Sequence, residues 1–348
     1  MWKDIKYLFA YIAPATAFAG IYFGGYWSLG AIYVGFVFIP LMELFTPQFT
    51  DNIPEADEQT RAGNFFFDLL LYLNIPMIYV LLWYAYSSIA AGGMETYEIV
   101  NTILSVGLIA GTVGINVAHE LGHRPEWYNQ LAAKALLLTA LYMHFIIEHN
   151  RGHHKNVATD ADPASAKYGE TVYAFWLRST VGSYFNAWRL EQERLSRKGQ
   201  SALSLRNEMI WFQLIQLAYL LTVGLLFGWL MIPVAIGIAV FGFLLLESVN
   251  YIEHYGLRRK QLPSGRYENV SPQHSWNSDH ELGRIFLYEL TRHSDHHFKA
   301  TRKYQVLRHF DESPQLPFGY PGSILMSMVP PLWFKVMNKK VQQYHQVA

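Results

Sequence analysis

Residues 210–246 read IWFQLIQLAYLLTVGLLFGWLMIPVAIGIAVFGFLLL, 37 residues without one charged side chain. As a single helix rising 1.5 Å per residue, this stretch would be about 55 Å long. That exceeds the ~30 Å hydrocarbon core of a bilayer, so one crossing cannot use it. Gly228 and Pro233 flank a natural break, and the stretch reads as two transmembrane helices, 210–228 and 230–250. Four more apolar runs lie upstream, at 7–27, 29–45, 65–90 and 100–118. The third of these is interrupted only by Asp68 and Asn74 and carries Pro76. One such run could be a buried core helix of a soluble protein; six in one chain read as membrane spans. The first run is too long for a signal-peptide core and ends at Trp27 without a small-residue cleavage site.

Composition agrees. Charged residues are 16 % of the 348, against ~25 % in soluble domains. Aromatic residues also make up 16 %, and the mean hydropathy is +0.09. The 27 basic and 27 acidic residues cancel, so no global field attracts nucleic acid. The absence of cysteine excludes disulfides, Cys-ligated clusters and a fused rubredoxin. Basic residues are segregated. Lys3 and Lys6 precede the first span, Arg61 lies between the second and third, eleven lie from Arg124 to Arg206 and thirteen from Arg258 to Lys340. By the positive-inside rule both termini are cytoplasmic. A seventh apolar run, Leu131 to Ile147, is ambiguous. If it crossed, it would carry His149 to the opposite side from His119 and His123 and break the charge asymmetry, so it is expected to dip and return or to lie along the interface. The expected fold is therefore all-α and integral to the membrane. Six transmembrane helices form a single domain over 1–348, with cytoplasmic segments 119–208 and 254–348.

Histidines gather at the cytoplasmic ends of these spans. The first cluster is His119-Glu-Leu-Gly-His123, whose i, i+4 spacing puts both rings on one helix face. It resembles the HExxH zinc-protease motif superficially. The second is Glu148-His149-Asn-Arg-Gly-His153-His154, with His149 and His153 expected on one face. The third is His293-Ser-Asp-His296-His297, and a fourth site is the single His254 in Asn250-Tyr-Ile-Glu-His254-Tyr-Gly256. Nine imidazoles exceed what one transition metal binds, whereas two metals with four or five each suit the count. Imidazole suits iron, zinc, copper and nickel, so ligand type alone does not choose the metal. Haem needs only one or two axial ligands and does not account for nine.

HELGHR from His119, EHNRGHH from Glu148, RHSDHH from Arg292 and NYIEHYG from Asn250 together resemble the histidine signatures of the integral-membrane alkane monooxygenases, within the wider fatty-acid desaturase and hydroxylase superfamily. The resemblance extends to Leu195–Ser201, His274–Ser278 and Gly319–Gly322. The His254-Tyr-Gly signature separates this group from the desaturases. Arg124 stands where the family often has lysine. The resemblance implies a non-haem di-iron centre, ligated by His119, His123, His149, His153, His154, His254, His293, His296 and His297, that hydroxylates the terminal methyl of medium-chain n-alkanes with O2. It also implies two electrons from NAD(P)H through a reductase and a separate rubredoxin, and a bacterial-type inner membrane.

Metal-bound histidine usually gives its other N–H to a carboxylate or carbonyl. The candidates for that role are Glu120, Glu148, Asp162, Glu253 and Asp295, with Asp160 more distant. His144, His274 and His280 read as structural, and His309 and His345 as surface residues. Arg292, Lys299, Arg302 and Lys303 could steer an acidic rubredoxin. Alkane dissolves in lipid, so a passage between helices is expected. Tyr33, Phe36, Phe38, Trp83, Tyr84, Phe241 and Phe243 are candidates to line it. Gly107, Gly111 and Gly114 offer one face for close helix approach, and Asn116 is polar at depth. Three other functions compete: a desaturase or hydroxylase of acyl lipids or sterols, an alkyl-aromatic (xylene-type) monooxygenase, and a metal transporter. A transporter needs ionisable groups at the midplane, whereas these histidines sit at one face.

Overall fold

The computed structural model describes residues 2–347, with side chains from 4 to 344, which leaves those of Lys3 and His345 outside the described residues. Its regular elements are all helices. Among the described residues there are no β-strands, only three isolated bridges. Five helices are long and apolar enough to cross a membrane.

The N-terminal 3-10 segment Trp2–Tyr11 leads into α1 (Ile12–Phe23). Gly24 and Gly25 follow at φ +67° and +56°, backbone that side-chain-bearing residues rarely adopt. There the chain reverses into α2 (Gly25–Glu43), which holds a π turn at Val34–Phe38. The expected span 7–27 is thus helical but divided, its first part wound as 3-10. A short exposed helix, α3 (Glu55–Ala62), precedes α4 (Phe65–Ala90), which coincides with the run read from sequence and takes Asn64 as its N-cap. Helix α5 (Thr96–Gly122) carries a second π turn at Ala110–Ile115. The pair α9 (Glu208–Phe227) and α10 (Met231–His254) breaks at Gly228 as expected.

The ambiguous run does not form one helix. It makes α6 (Trp127–Leu138), then turns through Leu141 at φ +49°, and resumes as α7 (residues 145–156). The excursion begins beside His123 and ends at His149, and the Nε2 atoms of those two residues are 3.1 Å apart. Helix α8 (Val172–Ser196) packs against α7 and α10. After α10 come α11 (Glu281–Phe286), α12 (His293–Phe298), α13 (Tyr320–Ser327) and α14 (Pro330–Val347).

The close approach of α5 to α10 positions the site. A Cβ at Gly107 would meet the Ile238 carbonyl at 2.9 Å, and one at Gly111 the Gly242 carbonyl at 2.8 Å. Gly114 does not share this face. The π turn rotates it toward Thr139 and Ile78, so the three glycines serve two contacts rather than one.

Candidate metal centre

The nine histidines arrive on four elements: the C-terminal turns of α5, α7, the last residue of α10, and α12. They divide into two groups: His119, His123, His149, His154 and His296, and His153, His254, His293 and His297. Within each group one ring nitrogen per residue lies within 4.8 Å of all the others. Local winding decides the division. His119 and His123 share a face of regular α-helix, as do His293 and His297. Residues 149–153 form a π turn, in which positions five apart come into register. His149 therefore joins His154, and His153 faces the other group, so the two residues expected on one helix face are divided between the groups.

Ring nitrogens face one another across both groups. Nε2–Nε2 distances are 2.8 Å for His119–His296, 3.0 Å for His154–His149 and for His154–His296, 3.2 Å for His153–His297 and 2.9 Å for His297–His293. A neutral imidazole has one lone-pair nitrogen and one N–H. Lone pairs converging in such sets lack enough protons to bond one another, and a cation resolves the conflict. His254 Nε2 is buried with no hydrogen-bond partner. The donor set thus suits two transition-metal ions.

Burial, with repulsion from neighbouring imidazoles second, holds His149, His154, His293, His296 and His297 well below the ordinary histidine range. His123 is pushed to about 4 by burial and by His153. Neutral rings are what ligation requires. His153 departs from the pattern. Burial lowers it, but the Asp162 carboxylate, with Oδ2 2.9 Å from its Nδ1, outweighs this and raises it. That hydrogen bond fixes the proton on Nδ1 and leaves Nε2 free. Asp162 is itself held by Ser165 Oγ at 2.6 Å and by the Ala164 N–H at 3.0 Å.

Two of the expected carboxylates touch ligand rings. Besides Asp162, Glu253 places Oε2 3.1 Å from His293 Nε2, while its Oε1 accepts from Tyr320 at 2.7 Å. The other three face elsewhere. Glu120 pairs with Arg124 at 3.0 Å, Glu148 accepts from Asn186 at 2.9 Å, and Asp295 holds Arg302 and the Arg308 N–H. Burial pushes Glu148 up to about 8. Asp160 is exposed, 3.7 Å from Arg258. Among the described residues, none of the spare histidines joins either group. His144 sits between Tyr142 and Tyr184, His280 meets Gln48, and the His274 carbonyl lies 3.4 Å from His254 Nδ1. His309 is not a plain surface residue, since its Nδ1 lies 2.8 Å from buried Asp279.

Two adjoining apolar cavities lead to the histidine groups. One, of about 30 Å³, touches His119, His149 and His293 and is bordered by Phe145 and Asn116. The other, of about 60 Å³, runs outward past Phe36, Ile39, Leu108 and Ile324. Thr112, Leu245, Val249 and Leu287 border both. Of the candidate aromatics only Phe36 lines this passage. Trp83 and Phe38 point outward, and Phe243 stacks on Tyr142. Phe145, stacked on His149 at 4.7 Å, and Tyr320 were missed in the sequence. Signals existed, since Phe145 precedes His149 by one helical turn and Tyr320 lies in the Gly319–Gly322 motif.

A polar cavity of about 270 Å³ reaches His123 from another side, lined by Asp68, Glu120, Arg302 and Lys303 among others. Lys303 pairs with Asp68 at 3.1 Å, and Lys299 is exposed. Arg292 is 1 % exposed, its guanidinium bonded to the Leu307 carbonyl and beside Asp279, so it belongs to no docking surface.

The fatty acid desaturase family model matches residues 97–322. Alkane 1-monooxygenase 2 of Pseudomonas aeruginosa is 42 % identical over 94 % of this chain and 90 % of its own length. Alkane 1-monooxygenase of Pseudomonas putida is 40 % identical over 94 % of this chain and 83 % of its own. A xylene/toluene monooxygenase hydroxylase component of Pseudomonas putida is 29 % identical over 98 % and 90 %.

Proposed function

The chain belongs to the fatty acid desaturase family and, within it, to the membrane-bound alkane 1-monooxygenases; from that premise we propose that it converts medium-chain n-alkanes to 1-alkanols at a centre of two iron ions held by the nine histidines. The balanced reaction takes alkane, O2, two electrons and two protons to alcohol and water. The observation that carries the reading is the meeting of nine imidazoles, in groups of five and four, at the inner end of an apolar passage.

An alkane C–H bond has no acidity, so general acid–base groups alone cannot attack it. Iron bound by these residues supplies the oxygen activation that side chains lack. The protein's own part is positioning and dryness. Leu245, Val249 and Leu287 offer the substrate no polar contact, and a long apolar chain partitions between them from lipid. Phe145 covers the face of His149 and closes that side against water. Asp162 and the His274 carbonyl hold protons on the outward Nδ1 atoms of His153 and His254, which keeps their Nε2 lone pairs inward.

The six crossings are the five long apolar helices and the divided N-terminal segment 2–23; the distribution of basic residues then puts both termini and the segments 119–208 and 254–348 on the cytoplasmic side of a bacterial inner membrane. Electrons come from a separate rubredoxin and its NAD(P)H-dependent reductase, since the chain has no cysteine to ligate such a centre. The polar cavity at His123 is the approach that suits an acidic carrier, with Arg302 and Lys303 lining it and exposed Lys299 next to its Ala300 wall. The test is product analysis. Iron-loaded protein in liposomes, with rubredoxin, reductase, NADH and octane, should give 1-octanol, and a His254→Ala variant should give none. No alcohol despite two bound irons sinks the alkane reading and favours acyl lipids or alkyl aromatics.

A further inference from the structure

Helix α8 belongs to neither metal group, yet it has an outer face the cytoplasmic reading does not explain. Tyr173, Leu177, Val181 and Phe185 recur every four residues and are 50 %, 72 %, 47 % and 65 % exposed. They form one stripe along the helix. Farther on, the same outer face turns polar, with Arg189, Gln192, Glu193 and Ser196 exposed in place of apolar residues. The inner face is fixed to the core by buried Phe175, Ser179, Ser183, Asn186 and Glu191. The stripe is thus not a helix turned the wrong way.

Two contacts set the height of α8 against the spans. Near its start, Trp176 Nε1 donates to Ser248 Oγ of α10 at 3.1 Å. Ser248 lies six residues inside the end of α10, about 9 Å along its axis. Near the other end, Glu191 Oε1 accepts from the N–H of Glu208, the first residue of span α9. The apolar start of α8 therefore lies deeper than its polar end, and the switch in surface character follows the same gradient. Beside Tyr173, whose hydroxyl donates to the Met328 carbonyl, Leu325, Val329 and Leu332 extend the apolar rim.

We infer that α8 is an interfacial helix, with Tyr173, Leu177, Val181 and Phe185 seated in the acyl boundary of the cytoplasmic leaflet and the helix rising into water from Arg189 onward. Interfacial helices bury their apolar face about 5–10 Å into this boundary, the depth that the Ser248 contact sets. The occupant is lipid rather than another protein because the stripe begins beside span α10, inside that span's cytoplasmic end, continues into exposed Leu325, Val329 and Leu332, and changes character with depth. This rests on the reading of α9 and α10 as membrane spans and is independent of the substrate.

The chain has no cysteine, so single-cysteine labelling needs no background removal. Leu177→Cys, Phe185→Cys and Gln192→Cys, each carrying an environment-sensitive fluorophore, are placed in phosphatidylcholine/phosphatidylglycerol vesicles. Quenching is measured with doxyl-labelled lipid and with aqueous iodide. The expected result is at least threefold stronger lipid quenching than iodide quenching at Leu177→Cys and Phe185→Cys, and the reverse at Gln192→Cys. Iodide access at both apolar positions would place the stripe in water and overturn the proposal. Protection from both quenchers would assign it to a protein contact, such as a second copy, and overturn it equally. A label at Leu217→Cys, exposed on α9, reports whether the spans themselves are in lipid. Failure there refutes the membrane reading rather than the placement of α8.

Discussion

Asp162→Asn tests how the second histidine group is held. In the native arrangement Oδ2 accepts from His153 Nδ1 at 2.9 Å and from Ser165 Oγ at 2.6 Å, and Oδ1 accepts from the Ala164 N–H at 3.0 Å. The amide keeps its oxygen on one side only. With that oxygen toward His153 and Ser165, the new NH2 confronts the Ala164 N–H; turned the other way, it confronts His153 Nδ1–H. Both orientations lose the charge that holds the proton on Nδ1, and the proton shifts toward Nε2, the nitrogen that faces His297 at 3.2 Å. A protonated Nε2 cannot ligate. A hydrogen bond to a charged group contributes about 1.5–3 kcal/mol, which corresponds to about tenfold to a hundredfold in affinity. Loss of a carboxylate behind a metal-bound histidine typically costs about the same. Iron titration of the purified variant, read by metal analysis after dialysis against a graded chelator, should show one ion retained normally and the second weakened by that factor. The first group shares no ligand with His153 and serves as the internal control. Equal and unchanged retention of both ions would refute the argument. Equal weakening of both would show that the two groups are not separate.

Other outcomes follow from the same geometry. Val249→Phe fills the junction of the two apolar cavities and should lower octane turnover at least tenfold with iron content unchanged; iron loss would mean that the passage and the metal ligands are not separable. Gly111→Ala forces a Cβ to 2.8 Å from the Gly242 carbonyl, and thermal unfolding should report a loss of about 1–3 kcal/mol, the usual effect of overpacking. In metal-free protein, pH dependence has two opposed arms. His144, lowered to about 4 by burial, is neutral when folded, so stability falls as pH drops from 6.5 toward 4, by about 1.4 kcal/mol per unit. Glu148, raised to about 8 by burial, keeps its proton when folded, so stability falls as pH rises from 4.5 toward 8. Glu148→Gln should lessen the slope of only the alkaline arm of the denaturation profile and His144→Gln that of only the acid arm, to which the buried imidazoles of the two groups also contribute.

Five of the six expected spans were legible because hydrophobic length is a local signal, and α4 runs from Phe65 to Ala90 as read; the first, 7–27, is instead divided and reverses at Gly24 and Gly25. The histidine clusters were legible for the same reason: each box is a few residues long. The assignment of residues to groups was not. It depends on the π turn at 149–153, a change in winding with no marker in a motif that i, i+4 spacing fits equally well. Gly114 was misplaced by the same kind of turn at 110–115. Arg292 read as a surface cation because its composition is basic. Its burial comes from Asn52, Asp279 and Leu307, partners that no local pattern reveals. The apolar passage is built by Thr112, Val249 and Leu287 from three distant segments, and only packing brings them together.

The central claim is that these histidines direct oxygen to the end of an alkane. Supplying the iron-loaded protein, rubredoxin, reductase and NADH with octane under ¹⁸O₂ and identifying products by gas chromatography–mass spectrometry tests it directly. The account predicts 1-octanol carrying one ¹⁸O atom, with no label from water. Octene, or alcohol bearing oxygen from water, would contradict it.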